Sequence, residues 1–147
     1  MSGRDDRSSL GYELAYTSRR WRARADQRLS RFGLSHAKWA PLLHLSRTGG
    51  SLPQCQLAEQ ANVEGPSLVR VLDELERHGL IKRCDSDVDR RSKIVRLTDK
   101  AEAMVNEISV CLEQLRDEAL DGVADEDIAA LRRTLARIRL NLQRLEP

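Results

Sequence analysis

Pro66-Ser67-Leu68-Val69-Arg70-Val71-Leu72-Asp73-Glu74-Leu75-Glu76-Arg77-His78-Gly79, running directly into Leu80-Ile81-Lys82-Arg83-Cys84, is the stretch on which the fold turns. Leu68, Val71, Leu72 and Leu75 stand at i, i+3, i+4 and i+7, which predicts a helix over 66–78 with one apolar face. A proline at its first position sacrifices no hydrogen bond, and a glycine just past its end accepts the left-handed turn that stops a helix. From Leu80 the apolar period changes. Residues 81–84 and 93–97 read as two short strands joined by a polar loop over 85–92, which is the outline of a wing.

Upstream, residues 54–60 read as a short helix started by Pro53 and anchored by Leu57, Ala58 and Ala61, with Asn62-Val63-Glu64-Gly65 as the turn into the longer helix. Ser35 is the expected N-cap of a helix over 36–45, ended by Arg47-Thr48-Gly49-Gly50. Pro41 removes a backbone donor inside that span, so it should bend or shorten the helix. A first helix over 10–29 places Leu10, Leu14, Trp21, Ala25 and Leu29 near one face, carries six arginines between Arg19 and Arg31 nearby, and closes at Phe32-Gly33.

Downstream, Thr98 caps a long helix with Asp99 and Glu102 in its first turn and Ala101, Met104, Ile108, Cys111, Leu115 and Ala119 as apolar positions. Asp121-Gly122 breaks it. The last helix carries Ile128, Leu131, Leu135, Ile138, Leu142 and Leu145 at unbroken three-four spacing, a seam that needs a partner. Seams at both chain ends favour dimerisation over packing on the helix's own subunit.

The order helix, helix, short helix, longer helix, strand, charged loop, strand predicts a mainly α fold with a small β-wing, a winged helix-turn-helix. Residues 34–97 would form the DNA-binding lobe, with 8–32 and 98–146 as dimerisation helices, the whole of 1–147 forming a single unit. The 147 residues are 40% hydrophobic, 33% charged and only 3% aromatic, so the core must come from aliphatic side chains. The net charge of +2 hides an asymmetry: residues 1–96 hold 18 Lys and Arg against 12 Asp and Glu, residues 97–147 hold 7 against 11. Positive charge therefore sits with the candidate reading elements.

The major groove, about 12 Å wide, admits one helix, whose outer face must carry short polar and cationic side chains. Ser67 and Arg70 occupy that place on the 66–78 helix, and Arg70 can donate two hydrogen bonds to a guanine edge. The wing tip Asp87-Val88-Asp89-Arg90-Arg91-Ser92-Lys93 puts Arg90, Arg91 and Lys93 where a narrow minor groove would attract them.

These residues resemble the MarR family, specifically its SlyA-like branch: Gln56-Leu57-Ala58, Pro66-Ser67-Leu68-Val69-Arg70, Leu75 to Ile81 (Leu-Glu-Arg-His-Gly-Leu-Ile), Asp89-Arg90-Arg91-Ser92-Lys93 and Leu97-Thr98-Asp99-Lys100-Ala101, with Arg20-Trp21-Arg22-Ala23 and Trp39 extending the match. The resemblance implies a homodimer on a pseudo-palindromic operator, Arg70 in the major groove, Arg90 and Arg91 in the minor groove, and Asp89 shaping the wing by pairing with an arginine. It also implies an effector cleft for aromatic carboxylates such as salicylate, lined here by Arg19, Arg22 and Trp39. Leu43 departs from relatives that carry a histidine there.

Other classes fit less well. His36, His44 and His78 have no partners at catalytic or metal-ligand spacing, and no phosphate-cradling glycine loop exists, so an enzyme, a metal site and a bound cofactor are not expected. Cys55, Cys84 and Cys111 form no C-x-x-C pair and read as packed or idle thiols, with a thiol redox switch of the same fold as the alternative. A helical protein-interaction module without DNA binding is the other. No run approaches the roughly 20 apolar residues of a membrane span, and MSGRDDRSSLG lacks the apolar core of a signal peptide, which predicts a cytoplasmic protein.

Overall fold

The computed structural model describes residues 5–61 and 65–145. A short helix α1 (Asp5–Ser8) leads into α2 (Leu10–Leu29), which a 3₁₀ turn (Ser30–Phe32) and Gly33 at φ 67° bring to a close. Of its expected apolar face only Ala25 and Leu29 are buried, whereas Leu10 and Trp21 in its first two-thirds are exposed. α3 (His36–Arg47) runs unbroken through Pro41, so the proline does not shorten it. The Pro41 ring is itself buried, and its apolar contacts offset the one backbone bond it forgoes. Ser35 has the extended backbone of an N-cap, but its hydroxyl makes no capping bond.

Gly49 and Gly50, both at positive φ, turn the chain into a strand that the sequence reading missed, β1 (Ser51–Pro53). α4 (Gln54–Gln60) and α5 (Gly65–Arg77) follow; the expected turn at Asn62-Val63-Glu64 lies outside the described residues. α5 ends at Gly79 (φ 71°), where the Leu80 amide donates to Leu75 O at 2.9 Å and the Gly79 amide to Glu76 O at 2.9 Å. Only a residue free to adopt left-handed backbone closes both bonds, as the sequence position required.

β2 (Ile81–Asp85) and β3 (Lys93–Leu97) form the hairpin, and β1 adds to its far edge in the antiparallel order β1-β3-β2. Ile81 pairs with Leu97, Arg83 with Val95 and Asp85 with Lys93. Thr98 ends β3 and opens α6 (Asp99–Ala119): its hydroxyl oxygen accepts the Ala101 amide at 3.2 Å and donates to Gly79 O at 2.6 Å. One side chain thus caps α6 and ties it to the end of α5. Gly122 at φ 76° precedes α7 (Asp125–Gln143).

The chain divides into two compact units, the first ending at Leu115 within α6. The core lies in the first: Leu29, Leu42, Leu45, Leu57, Leu68, Leu72, Leu75, Val95, Val105 and Ile108 are all essentially inaccessible to solvent. Each such side chain contributes about 1.5–3 kcal/mol of burial. Among the described residues of the second unit, which contains α7, none is buried. Among the described residues no helix is long and apolar enough to cross a membrane, and no cluster of three or more metal-ligating side chains occurs.

Candidate nucleic-acid interface

α5 is held on the core by Leu68, Leu72 and Leu75, with Val71 half-buried beside them. Burying that face turns the opposite one outward, and Ser67 and Arg70 are exposed there. No ion pair engages Arg70 among the described residues. A guanidinium left without a carboxylate is available to a base edge or a phosphate.

The wing owes its shape to short-range polar bonds. Ser86 Oγ accepts the amides of Val88 (3.2 Å) and Asp89 (3.3 Å), and Asp89 Oδ1 accepts the Arg91 amide at 2.9 Å. The Ser92 amide donates to Asp89 O, and the Ser86 amide to Ser92 O. Asp89 thus holds the backbone of Arg91, where the family resemblance implied a partner guanidinium. A carboxylate side chain reaching the amide two residues on is the usual local turn of aspartate. It leaves the side chains of Arg90 and Arg91 exposed with no carboxylate partner among the described residues. Lys93 differs, because its ammonium pairs with Asp85 across the last strand pair before the loop, so a phosphate would have to compete for it.

A groove of about 420 Å³ joins the two elements, with Leu68 and Val69 of α5 on one wall and Asp89, Arg91 and Lys93 of the wing on the other. Wing residues and the start of α5 thus share one surface. Sequence reading missed what fixes them together: the Arg83 guanidinium of β2 reaches Asp73 Oδ1 at 2.5 Å and Glu76 Oε2 at 2.7 Å, both on α5. Lys38 of α3 pairs with Glu74 at 2.6 Å from the other side. The Arg83 bonds hold the Glu76 carboxyl below its ordinary range, and the Lys38 hydrogen bond does the same for Glu74. No periodicity signals these pairs; the acidic run Asp73-Glu74-Glu76 followed by the basic Arg83 was the available hint.

The expected effector residues are less closely matched. Arg19 and Arg22 are exposed on α2, but Trp39 is only 7% exposed and its indole N–H donates to Asp26 Oδ1 at 3.0 Å. Trp39 is a core anchor that ties α3 to α2. His36 packs edge-on to its ring at 4.7 Å, and burial, with Arg22 second, lowers the imidazole's affinity for a proton. Leu43 is buried. Cys55 and Cys84 are exposed; Cys111 is buried, with an Arg31 guanidinium nitrogen 3.0 Å from its sulfur.

Comparison with known proteins bears on this surface. The model of the MarR family matches residues 32–92, which span α3 through most of the wing. The chain is similar to the transcriptional regulator PA3341, 43% identical with a TM-score of 0.86, over 92% of this chain and 98% of that one. A MarR family transcriptional regulator from Silicibacter pomeroyi is 29% identical, with a TM-score of 0.78, over 90% and 88% of the two chains. AbsC, a MarR family transcriptional regulator from Streptomyces coelicolor, shares the fold at 20% identity, with a TM-score of 0.86 over 97% of each chain.

Proposed function

The chain belongs to the MarR family of DNA-binding transcriptional regulators, and from that premise we propose that it acts as a homodimer on a pseudo-palindromic operator. Each subunit would lay α5 in a major groove and its wing along the neighbouring minor groove. The observation that carries this reading is the pair of exposed cationic elements on one lobe: Ser67 and Arg70 opposite a leucine face, and Arg90 and Arg91 on a loop whose neighbouring Asp89 accepts a backbone amide. Arg70 would read a base edge, while Arg90, Arg91 and Lys93 would grip phosphates and the narrow groove.

The lobe would be residues 34–97, and α2 and the helices after residue 98 would supply the dimer contacts, since Leu131, Leu142 and Leu145 of the last seam are exposed. The motifs from Gln56 to Ala101 favour the SlyA-like branch. A small aromatic carboxylate is the effector this reading carries, with Arg19 and Arg22 as its charge partners and Trp39 backing them from the core. The protein would work in the cytoplasm, where the operator is.

A salt titration on an inverted-repeat duplex beside a scrambled one, with and without millimolar salicylate, tests all parts. Dimeric binding that weakens on scrambling, falls linearly with salt in log-log form and weakens again with salicylate is the expected result. Sequence-specific binding indifferent to salicylate would remove that effector and leave the regulator; no binding at low salt would remove the DNA reading.

A further inference from the structure

The cations expected to touch DNA sit on two elements of one lobe, a helix and a hairpin, which share a buried core and are also tied by one polar side chain, Arg83. Arg83 lies on β2 in the same alternation as Ile81, whose side chain is fully buried, so Arg83 faces the body of the lobe rather than solvent. Its guanidinium donates three bonds to α5: Nη2 to Asp73 Oδ1 at 2.5 Å, Nη2 to Glu76 Oε2 at 2.7 Å and Nε to that same Glu76 oxygen at 3.1 Å. Its amide adds a fourth, to Glu76 Oε1 at 3.0 Å. Glu76 therefore holds both the backbone and the side chain of one strand residue, and that residue stands two positions before the end of β2.

We infer that Arg83 is a positioning residue for recognition: it locks the wing to α5 at one spacing and angle, so that Arg70 and Arg91 meet adjacent grooves together. This rests on the DNA-binding reading above. The planar fork is what makes the lock directional, because a lysine ammonium supplies the charge without parallel donors aimed at two carboxylates. Arg83 also offsets part of the negative charge of Asp73 and Glu76, two of the three carboxylates of α5, which would otherwise repel phosphate more strongly. Positioning and neutralisation are separable by charge: removing Arg83 unmasks two anions, whereas converting those two carboxylates to amides removes the lock and the anions together.

The test begins by selecting a preferred duplex from a random pool with the wild-type chain. Affinity for that duplex and for a scrambled one is then measured for wild type, Arg83→Lys, Arg83→Ala and the double variant Asp73→Asn with Glu76→Gln. In all three variants the ratio of specific to scrambled affinity should fall at least about fivefold. Scrambled affinity itself should move in opposite directions, weaker in Arg83→Ala and stronger in the amide double variant. Hydroxyl-radical protection of the flanking minor groove should fade while methylation protection of major-groove guanines persists.

A ratio within twofold of wild type in Arg83→Lys and in the double variant, with lowered melting temperatures alone, would overturn the inference and leave Arg83 as a fold-stabilising pair. Parallel fading of both kinds of protection would overturn it as well. If the wild-type chain enriches no sequence, the DNA-binding reading falls first and takes this inference with it, so the two failures are told apart by the wild-type selection.

Discussion

α5 and α7 are both amphipathic helices with leucines at three-four spacing, and the structure treats them oppositely. Leu68, Leu72 and Leu75 of α5 are at most 1% exposed, whereas in α7 Leu131 is 54% and Leu142 56% exposed. The periodic pattern reports that a face needs cover; it does not report what covers it. In α5 the cover is the subunit's own core, so its leucines stabilise the folded chain. In α7 no side chain is fully buried, and the exposed Leu131 and Leu142 form apolar area of the kind that marks a contact surface.

Leu72→Ala is the most severe test of that contrast. Leucine removed from a filled site costs its burial plus the cavity left behind, about 2–5 kcal/mol. Thermal unfolding at low protein concentration should show a large drop for Leu72→Ala and almost none for Leu142→Ala. Equal drops would mean that α7 is covered within the chain and the contrast false.

Next in size is Leu131→Asp combined with Leu142→Asp. A carboxylate forced into an apolar seam is costly wherever that seam closes. Sedimentation should therefore show subunit association weakened by about 100-fold or more while the helical signal of the chain is retained. Unchanged association would place the dimer contacts elsewhere, on α2 for instance, whose Leu10 and Trp21 are also exposed.

Within the lobe the comparison narrows to helix against wing. Arg70→Ala should lose about 1–3 kcal/mol of discrimination at one base pair. Arg90→Ala or Arg91→Ala should weaken specific and random duplexes alike and lower the salt slope by about one. The check is a binding isotherm series over several salt concentrations; identical profiles for all three changes would erase the division between a reading helix and a gripping wing.

Most of the fold was legible because its signals are local. Gly79 after a leucine face, Thr98 before an acidic turn and the switch of period at Leu80 each depend on neighbours within a few residues, and each fell where expected. β1 was not legible: three residues containing a proline carry no strand pattern, and Ser51–Pro53 is a strand only because β3 presents a free edge to it. The site shows the same division. Exposure of Ser67 and Arg70 followed from their place opposite the leucine face of α5, and that of Arg90 and Arg91 from their place in a polar loop. The bonds of Arg83 to Asp73 and Glu76, across seven to ten residues, depend on how a strand packs on a helix, and nothing in the composition of either segment specifies that.

Those ionic tethers give the smallest effect, and it sharpens the account of α5. Glu76 accepts hydrogen bonds from the Arg83 guanidinium and amide, which holds its carboxyl below the ordinary glutamate range. The unfolded chain then binds its proton more readily than the folded one, so the stabilisation is complete above the ordinary glutamate pKa and is lost as pH falls through the depressed folded value. Because the pair is near the surface, water and salt screen it, and its worth is about 0–1 kcal/mol. Acid titration followed by far-UV circular dichroism should therefore show an acid limb that is shallower in Glu76→Gln than in wild type, and less distinct at high salt. An acid limb unchanged by Glu76→Gln would mean that the leucine face alone holds α5, with Arg83 adding direction but no measurable stability.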